Sequence, residues 1–160
     1  MKHEVKIGTC SAAETAALGA YIGAHAEDGL FLALIGDLGT GKTHFVQGLA
    51  EGLGITGPVT SPTFNLMNQY EGRLTLTHFD FYRLDRVEEL YNIGWDEYSS
   101  GGVVAAEWAG LFPEVIPEEA LVLTFSRTGE NDREITISWD DSAPGLPGIV
   151  KEIESYALSH

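Results

Sequence analysis

The first third of the chain has a hydrophobic pattern that predicts two strands, each followed by a helix. Residues 5–7 indicate a short strand, and Ser11 and Glu14 have the spacing of a capping box at a helix start. Residues 30–35 form a continuous apolar run, which is typical of a strand that is buried on both faces. Residues 42–53 carry apolar side chains at helical spacing and are followed by a glycine, so they predict a second helix.

The rest of the chain predicts two hairpins with a buried strand between them. Residues 63–70 and 74–81 flank a Glu-Gly turn, so they are expected to pair as the two arms of one hairpin. Residues 103–106 are apolar throughout, as expected for a buried strand. Residues 121–126 and 134–139 flank a polar segment that contains a glycine, and they predict the second hairpin.

The order of these elements predicts the fold class. Helices alternate with strands early in the chain and hairpins follow, so we expect an α/β three-layer sandwich with a mixed parallel and antiparallel sheet. A short helix is predicted over residues 86–92. Residues 1–141 are interpreted as a single domain, and residues 142–160 as a C-terminal tail in which residues 149–158 could form a short helix.

Composition and charge narrow the class of protein further. The chain has 160 residues, of which 44% are hydrophobic and 21% charged, which fits one globular domain. Nine basic and 24 acidic residues give a net charge of −15, and such a surface repels nucleic acid and anionic membranes. The sequence has a single cysteine and shows neither a secretory signal nor an apolar run long enough to span a membrane. We therefore expect a cytoplasmic domain without direct contact to nucleic acid or membrane.

Residues 36–43, with the sequence GDLGTGKT, fit the phosphate-binding pattern G-x-x-x-x-G-K-[ST] of a P-loop NTPase-like fold. The glycines allow the backbone to curl so that its N–H groups point at phosphate oxygens, and the following helix adds its positive dipole end. The lysine supplies a charge for the outer phosphates, and the threonine offers a hydroxyl to Mg²⁺. A guanine-specific N-K-x-D motif is absent, so ATP is the expected nucleotide. The predicted nucleotide-binding residues are Asp37, Leu38, Gly39, Thr40, Gly41, Lys42 and Thr43.

A magnesium–triphosphate site also requires an acidic residue at the end of a neighbouring strand. Two candidates fit: Asp80 ends the predicted strand before it, and Glu107 follows the buried strand at residues 103–106. Glu107 is favoured for the metal, directly or through water, and Asp80 for orienting the attacking water or sensing the γ-phosphate. Solvated carboxylates at strand ends are the simpler alternative for both. Together with Lys42, these two residues are the predicted catalytic groups.

Several segments, taken together, resemble the TsaE (YjeE) family of small P-loop ATPases. They keep their order and approximate spacing over residues 30–117, and the combination of the S-P-T-F, H-F-D-x-Y-R-L and E-W motifs is specific. The matching segments are residues 36–43, 59–64, 78–84, 88–90, 93–94 and 107–108.

The resemblance implies a function in the synthesis of threonylcarbamoyladenosine in bacterial tRNA. It implies binding of ATP with Mg²⁺, assembly with TsaB and TsaD, and ATP hydrolysis that resets this assembly. It places Thr43 and Glu107 on the metal and Asp80 in a Walker-B-like position. By the same resemblance, Trp108 lies near the nucleotide or a partner, and a loop that contains Ser11 approaches the base together with Arg133.

Alternatives stay open at this point. A small-metabolite kinase would share the phosphate-binding motif, although only five arginines are present to surround a phosphate donor. A nucleotide-gated binding module without turnover would share it as well. Residues 60–63 could be a switch loop or a simple turn, and Arg83 is the arginine nearest the proposed chemistry. Hydrolysis by the isolated chain is expected to be weak, because P-loop hydrolases commonly gain from an arginine supplied in trans.

A group of aromatic residues follows the two strand-end carboxylates. These residues could form a docking surface or belong to the core, since both settings favour aromatic side chains. They are Tyr82, Trp95, Tyr98, Trp108 and Phe112.

Overall fold

The computed structural model describes residues 2–36, 40–57, 59, 67–82, 84–99, 101–140 and 147–159. Within these residues, seven strands form one sheet. The strands are β1 (Lys2–Thr9), β2 (Leu30–Ile35), β3 (Met67–Tyr70), β4 (Leu76–Asp80), β5 (Val103–Glu107), β6 (Leu121–Arg127) and β7 (Arg133–Asp140). The helices in the same part of the chain are α1 (Ala12–His25), α2 (Lys42–Gly52), α3 (Glu88–Asn92), α4 (Trp95–Tyr98) and α5 (Pro147–Ser159). Two 3₁₀ turns follow β5, at Ala109–Leu111 and Pro113–Val115.

The sheet combines parallel and antiparallel strands in the order β1-β7-β6-β2-β5-β4-β3. Strand β2 pairs in parallel with β5 and β6, and β4 pairs in parallel with β5. The outer pairs β3/β4, β6/β7 and β1/β7 are antiparallel, so both predicted hairpins are present. The predicted α/β fold with a mixed sheet is confirmed.

Alternate residues of the central strand β2 face two separate apolar layers. Leu30, Leu32 and Leu34 pack into a cluster with α1, α2 and α5, whereas Phe31 and Ala33 pack into a cluster with α3, α4 and the 3₁₀ turns. Helices therefore cover both faces, which explains why the β2 sequence is apolar at every position.

Strand β4 is buried along most of its length. Residues 76–79 are all buried, although polar residues alternate with apolar ones in this stretch. The reason is the position of β4 between β3 and β5, where both apolar layers cover it. Thr77 and His78 are thus buried polar residues.

Helices α1 and α2 run side by side in the same direction and touch through glycines. A Cβ added to Gly48 would lie 1.8 Å from the Ala16 carbonyl oxygen, and one added to Gly19 would lie 2.2 Å from that of Phe45. Only glycine permits this approach of two helix backbones. As a consequence, the beginnings of both helices lie together at one end of the sheet.

The predicted cap of α1 is present with one change of partner. The Ser11 hydroxyl accepts a hydrogen bond from the Glu14 N–H at 3.1 Å, as in a capping box. The Glu14 carboxylate, however, accepts from the N–H of Cys10, one residue earlier than that motif places it. The cap holds the segment between β1 and α1 close to the start of α2.

The C-terminal segment that the sequence sets apart as a tail contains helix α5. Ile149 and Ile153 of this helix are buried in the same cluster as the inward side chains of α1 and α2. The Tyr21 hydroxyl of α1 also donates a hydrogen bond to Glu152 at 2.8 Å. Among the residues described, no helix is long and apolar enough to cross a membrane.

Candidate functional site

A pocket of about 510 Å³ opens where the carboxyl ends of β4 and β5 meet the first turn of α2. Nine of the predicted site residues line it: Ser11, Thr40, Gly41, Lys42, Thr43, Asp80, Glu107, Trp108 and Arg133. These residues come from five separate parts of the chain, and the fold brings them together in one place. The other predicted nucleotide-binding residues, Asp37, Leu38 and Gly39, lie outside the described residues, as do residues 60–66 and Arg83.

The start of α2 is built around glycine. Gly41 precedes the helix with φ 97° and ψ 10°, a left-handed conformation that other residues rarely adopt. Among the residues described, no side chain caps this helix at Gly41, in contrast to Ser11 on α1. A helix N-terminus that faces a pocket without a side-chain cap has the geometry that suits an anion.

Lys42 is buried in the pocket and contacts both β2 and Trp108. The residue is 5% exposed, and its ammonium group donates a hydrogen bond to the Gly36 carbonyl at the end of β2. The same Nζ lies 4.0 Å from the centroid of the Trp108 ring, within range of a cation–π interaction. The cation is therefore positioned at the start of α2 and partly shielded from water.

Trp108 has an unusual backbone for its side chain. It adopts φ 59° and ψ 32°, and it is the one non-glycine residue with positive φ in the described part of the chain. This left-handed residue turns the chain sharply after β5 and directs the indole over Lys42. The Tyr82 ring, which is 53% exposed, packs against the outer side of Trp108 at 4.9 Å between centroids.

Asp80 and Glu107 end neighbouring parallel strands and are paired in register. Burial is the main cause that raises the pKa of Asp80, and the nearby Glu107 carboxylate raises it further. The Tyr82 N–H, which donates to Asp80 at 3.0 Å, acts in the opposite direction on this pKa, as do the neighbouring His78 and Lys42. The two carboxylates are thus close enough to influence each other and Lys42.

Glu107 has a partner that sequence reasoning missed. Its Oε2 lies 2.6 Å from Nε2 of His78, and both side chains are almost fully buried. His78 is the first residue of the H-F-D-x-Y-R-L motif, but a linear motif does not show which residue faces a carboxylate across two strands. The register of β4 and β5 provides that information.

The side of the pocket opposite the carboxylates is formed by α1 and the β6–β7 hairpin. Ser11 and Thr15 contribute from α1, and Arg133 and Asn131 from the hairpin. Arg133 donates hydrogen bonds to three backbone carbonyls of its own hairpin loop, at residues 129, 130 and 132. Sequence reasoning missed Asn131, as well as Ala12, Thr15 and His44, which also line the pocket.

The pocket offers oxygen donors that suit Mg²⁺ bound together with phosphate groups. As far as the structure describes the chain, they do not form a site in which side chains alone would coordinate a metal. Thr43 offers a hydroxyl, and Asp80 and Glu107 offer carboxylates, all hard oxygen ligands. In the part of the chain that the structure describes, no group of three or more His, Cys, Asp or Glu side chains could hold a metal ion. Mg²⁺ commonly binds through one or two carboxylates plus substrate phosphates, and this donor set fits that arrangement.

The aromatic residues after the two carboxylates divide between core and surface. Trp95 is buried and packs against Phe79 and Phe81, at 4.7 Å and 5.7 Å between ring centroids. Tyr82 is exposed and Trp108 lines the pocket. The core alternative is confirmed for Trp95, whereas a docking surface that includes the exposed Tyr82 stays a prediction.

Fold and site together define an α/β protein whose pocket lies at the carboxyl ends of sheet strands, next to a G-x-x-x-x-G-K-T segment at the β2–α2 junction. The family model described as threonylcarbamoyl adenosine biosynthesis protein TsaE matches residues 9–135. The chain belongs to the TsaE family, as its motifs predicted, and this family takes part in tRNA threonylcarbamoyladenosine biosynthesis.

Individual relatives support the same assignment. The tRNA threonylcarbamoyladenosine biosynthesis protein TsaE of Bacillus subtilis is 44% identical over 137 residues, which cover 84% of this chain and 85% of that protein. The protein of the same name from Treponema pallidum is 43% identical over 129 residues, or 80% and 96% of the two chains. The crystal structure of Bacillus subtilis YdiB matches with a TM-score of 0.78 and 36% identity, over 98% of this chain and 97% of that one.

Proposed function

We propose that this protein is an ATPase that binds Mg·ATP in the pocket at the start of α2 and supports threonylcarbamoyladenosine modification of tRNA. The observation that carries the proposal is the convergence of Lys42, Thr43, Asp80 and Glu107 on one pocket of about 510 Å³. A lysine, a hydroxyl and two carboxylates around a helix N-terminus are the groups that triphosphate hydrolysis requires.

The phosphates would be bound by the amides at the start of α2 and by Lys42. To reach them, the Lys42 ammonium exchanges its hydrogen bond to the Gly36 carbonyl for phosphate oxygens. This exchange is favourable because phosphate oxygens carry full negative charge, whereas the carbonyl that they replace is only a dipole. Gly41 matters here because a side chain would impose strain at its left-handed backbone.

Thr43 and Glu107 would hold the magnesium ion, which when bound neutralises charge on the phosphate oxygens. Asp80 lies beside Glu107 and would orient a water molecule for in-line attack on the γ-phosphate. Its raised pKa favours acceptance of a proton from that water compared with an ordinary aspartate. Ser11, Trp108 and Arg133, on the other walls of the pocket, would contact the remainder of the nucleotide.

The net charge of −15 argues that tRNA is not bound by this chain directly. The role in tRNA modification would therefore be carried out through partner proteins of the TsaB and TsaD type, which hold the tRNA and perform the transfer. Hydrolysis by the isolated chain is expected to be weak and to rise when these partners are present.

Calorimetric titration with Mg·ATP tests the site. Lys42→Ala is expected to weaken binding at least tenfold, because the phosphates lose their one lysine contact. Lys151→Ala, which removes the same charge from the exposed side of α5, is the matched control and should bind as the wild type does. Unchanged binding in Lys42→Ala would contradict the assignment of this pocket.

Two further measurements separate the roles. Glu107→Ala should lose ATP affinity in Mg²⁺ much more than in EDTA, and equal losses would move the metal role to Asp80. Turnover should increase when TsaB- and TsaD-type partners are added. ATP that stays intact with every partner present would instead favour a nucleotide-gated binding module, and ATP-dependent phosphorylation of a hydroxyl acceptor would favour a kinase.

A further inference from the structure

His78 and Glu107 form a buried polar pair on the face of the sheet that packs against α2. His78 is 1% exposed and Glu107 4% exposed, and their Nε2 and Oε2 atoms are 2.6 Å apart. A buried carboxylate without a hydrogen-bond donor is strongly unfavourable, and this contact supplies such a donor to Glu107. The hydrogen bond from His78 is therefore important for the burial of the Glu107 carboxylate.

The register of the strands explains why these two side chains meet. Asp80 is paired with Glu107, and His78 is paired with Ala105, so residues 78, 80 and 107 all point to the same face of the sheet. His78 is two residues before Asp80, about 7 Å along the strand, and the strands are about 5 Å apart. The imidazole and carboxylate side chains bridge this diagonal, while Asp80 stays at the pocket edge.

The chemistry of the pair fixes the tautomer of His78. An ionised carboxylate can only accept hydrogen bonds, so the proton of the contact lies on Nε2. In the described part of the structure, Nδ1 is buried without a hydrogen-bond partner. An Nδ1 without an acceptor beside it is best left as a bare lone pair, so Nε2 is the nitrogen that donates to Glu107.

The contact also orients the carboxylate of Glu107. Oε2 accepts the hydrogen bond from His78 and Glu107 lines the pocket, so we expect Oε1 to be the oxygen that serves it. Residues that bind metal ions through oxygen or nitrogen are commonly held by such outer hydrogen bonds, and loss of the outer partner typically reduces metal affinity 10–100-fold. This is the expected size of the effect here.

We infer that His78 is a positioning residue, whose Nε2–H holds Glu107 in the orientation that binds Mg²⁺ together with ATP. The inference rests on the proposed function of the pocket. It assigns to a buried histidine a role in metal binding without any contact between His78 and the metal or the nucleotide.

Two substitutions at position 78 separate positioning from packing. In His78→Gln, the side-chain amide nitrogen reaches as far as Nε2 and can still donate to Glu107. In His78→Asn, the amide reaches only as far as Nδ1, so the donor is lost although the side chain is still polar. His25→Asn, at the far end of α1 from the pocket, is the matched control.

The readouts are the apparent Mg²⁺ affinity at fixed ATP and the ATP affinity in EDTA, both measured by calorimetry. His78→Asn is expected to weaken Mg²⁺ binding 10–100-fold and to leave metal-free ATP binding within twofold of the wild type. His78→Gln should restore Mg²⁺ binding to within a few-fold, and His25→Asn should have no effect. Equal Mg²⁺ affinity in the Asn and Gln variants, or equal losses with and without metal, would overturn the inference.

Nitrogen NMR of the wild-type imidazole provides a test that requires neither substitution nor nucleotide. We expect a protonated, slowly exchanging Nε2 and a bare Nδ1 for His78, and the opposite tautomer would overturn the positioning role even if the variants fail to fold. A wild-type protein that shows this tautomer but binds no ATP would reject the proposed function and the metal role that depends on it. Wild-type ATP binding without any difference between the variants would reject the positioning role alone.

Discussion

The ammonium group of Lys42 lies 4.0 Å from the centre of the Trp108 ring while it donates a hydrogen bond to the Gly36 carbonyl. Two parts of the pocket that are distant in the sequence are thereby linked: the first residue of α2 and the residue that follows β5. Phosphates bound at the start of α2 would compete with both contacts for the Lys42 ammonium. Binding of an anion at the start of α2 is thus expected to change the surroundings of the indole.

Tryptophan fluorescence should therefore report nucleotide binding. Addition of Mg·ATP is expected to change the emission of the wild-type protein, because the Lys42 cation leaves the Trp108 ring for the phosphates. Trp108→Phe should abolish the change. Trp139→Phe should retain it, since Trp139 is six residues, or about 20 Å, along β7 from the pocket residue Arg133. A signal that survives in Trp108→Phe but is lost in Trp139→Phe would contradict this link.

The site residues could be predicted from the sequence where a short motif or the end of a single strand identifies them. The G-x-x-x-x-G-K-T segment specifies both its backbone shape and its side chains. Asp80 and Glu107 were found because each ends a predicted strand, where a magnesium–triphosphate site requires an acidic residue. The contact between His78 and Glu107 depends on strand register. The wall formed by Asn131 depends on how the β6–β7 hairpin lies against α1, and no linear pattern encodes either.

Asp80→Asn is expected to stabilise the protein at neutral pH. Burial raises the pKa of Asp80 above its ordinary value of 3.8, so the folded protein holds this proton more tightly than the unfolded chain does. The ionised carboxylate then costs stability at every pH above the raised pKa, and this cost disappears as the pH falls through it towards 3.8. Asparagine avoids the cost, and its Oδ1 can still accept the Tyr82 N–H.

The measurement is the melting temperature of both proteins between pH 7 and pH 4. Asp80→Asn should melt higher at pH 7, and its advantage should shrink as the pH decreases. Asp96→Asn, on the exposed side of α4, is the control and should change the free energy of unfolding by no more than about 0.5 kcal/mol. An advantage that grows as the pH falls would show that burial of the Asp80 charge is not its cause.

The fold could be predicted from the sequence where the local pattern of residues is enough to define a strand or a hairpin. The apolar run of β2 and the two hairpins follow from local patterns, and all three are present. The close packing of α1 on α2 could not be predicted from the sequence. A glycine such as Gly48 lowers helix propensity, and its value for packing cannot be recognised while the neighbouring helix is unknown. Their role becomes visible only against the carbonyl of Ala16.

Gly48→Ala should destabilise the protein because it forces α1 and α2 apart. The new methyl group would lie 1.8 Å from the Ala16 carbonyl oxygen, so one of the two backbones must shift. Overpacking of this kind costs about 1–3 kcal/mol, which exceeds the gain in helix propensity of about 1 kcal/mol at most. Gly8→Ala is the matched control, since a Cβ at this β1 position meets nothing within 4 Å. Chemical denaturation measures both, and equal stabilities of the two variants would contradict the close approach.

Because α1 carries Ser11 and Thr15 and α2 carries Lys42 and Thr43, the same substitution should also disturb the pocket. We expect Gly48→Ala to bind Mg·ATP more weakly than Gly8→Ala at a temperature where both are folded. The size of this loss measures how far the contact between the helices positions the site.

Ile153→Ala tests whether α5 belongs to the folded core. A polar segment with proline and glycine separates this helix from β7, and for that reason the sequence suggested a tail. In the structure, Ile153 is fully buried among side chains of the central cluster, so truncation removes its burial and leaves a cavity. The expected cost is about 2–5 kcal/mol in the free energy of unfolding.

Leu158→Ala, in the same helix but 91% exposed, should cost less than about 0.5 kcal/mol. If both substitutions are equally mild, α5 does not contribute to the stability of the domain; if only Ile153→Ala is costly and unfolding stays a single transition, α5 and the sheet unfold as one unit.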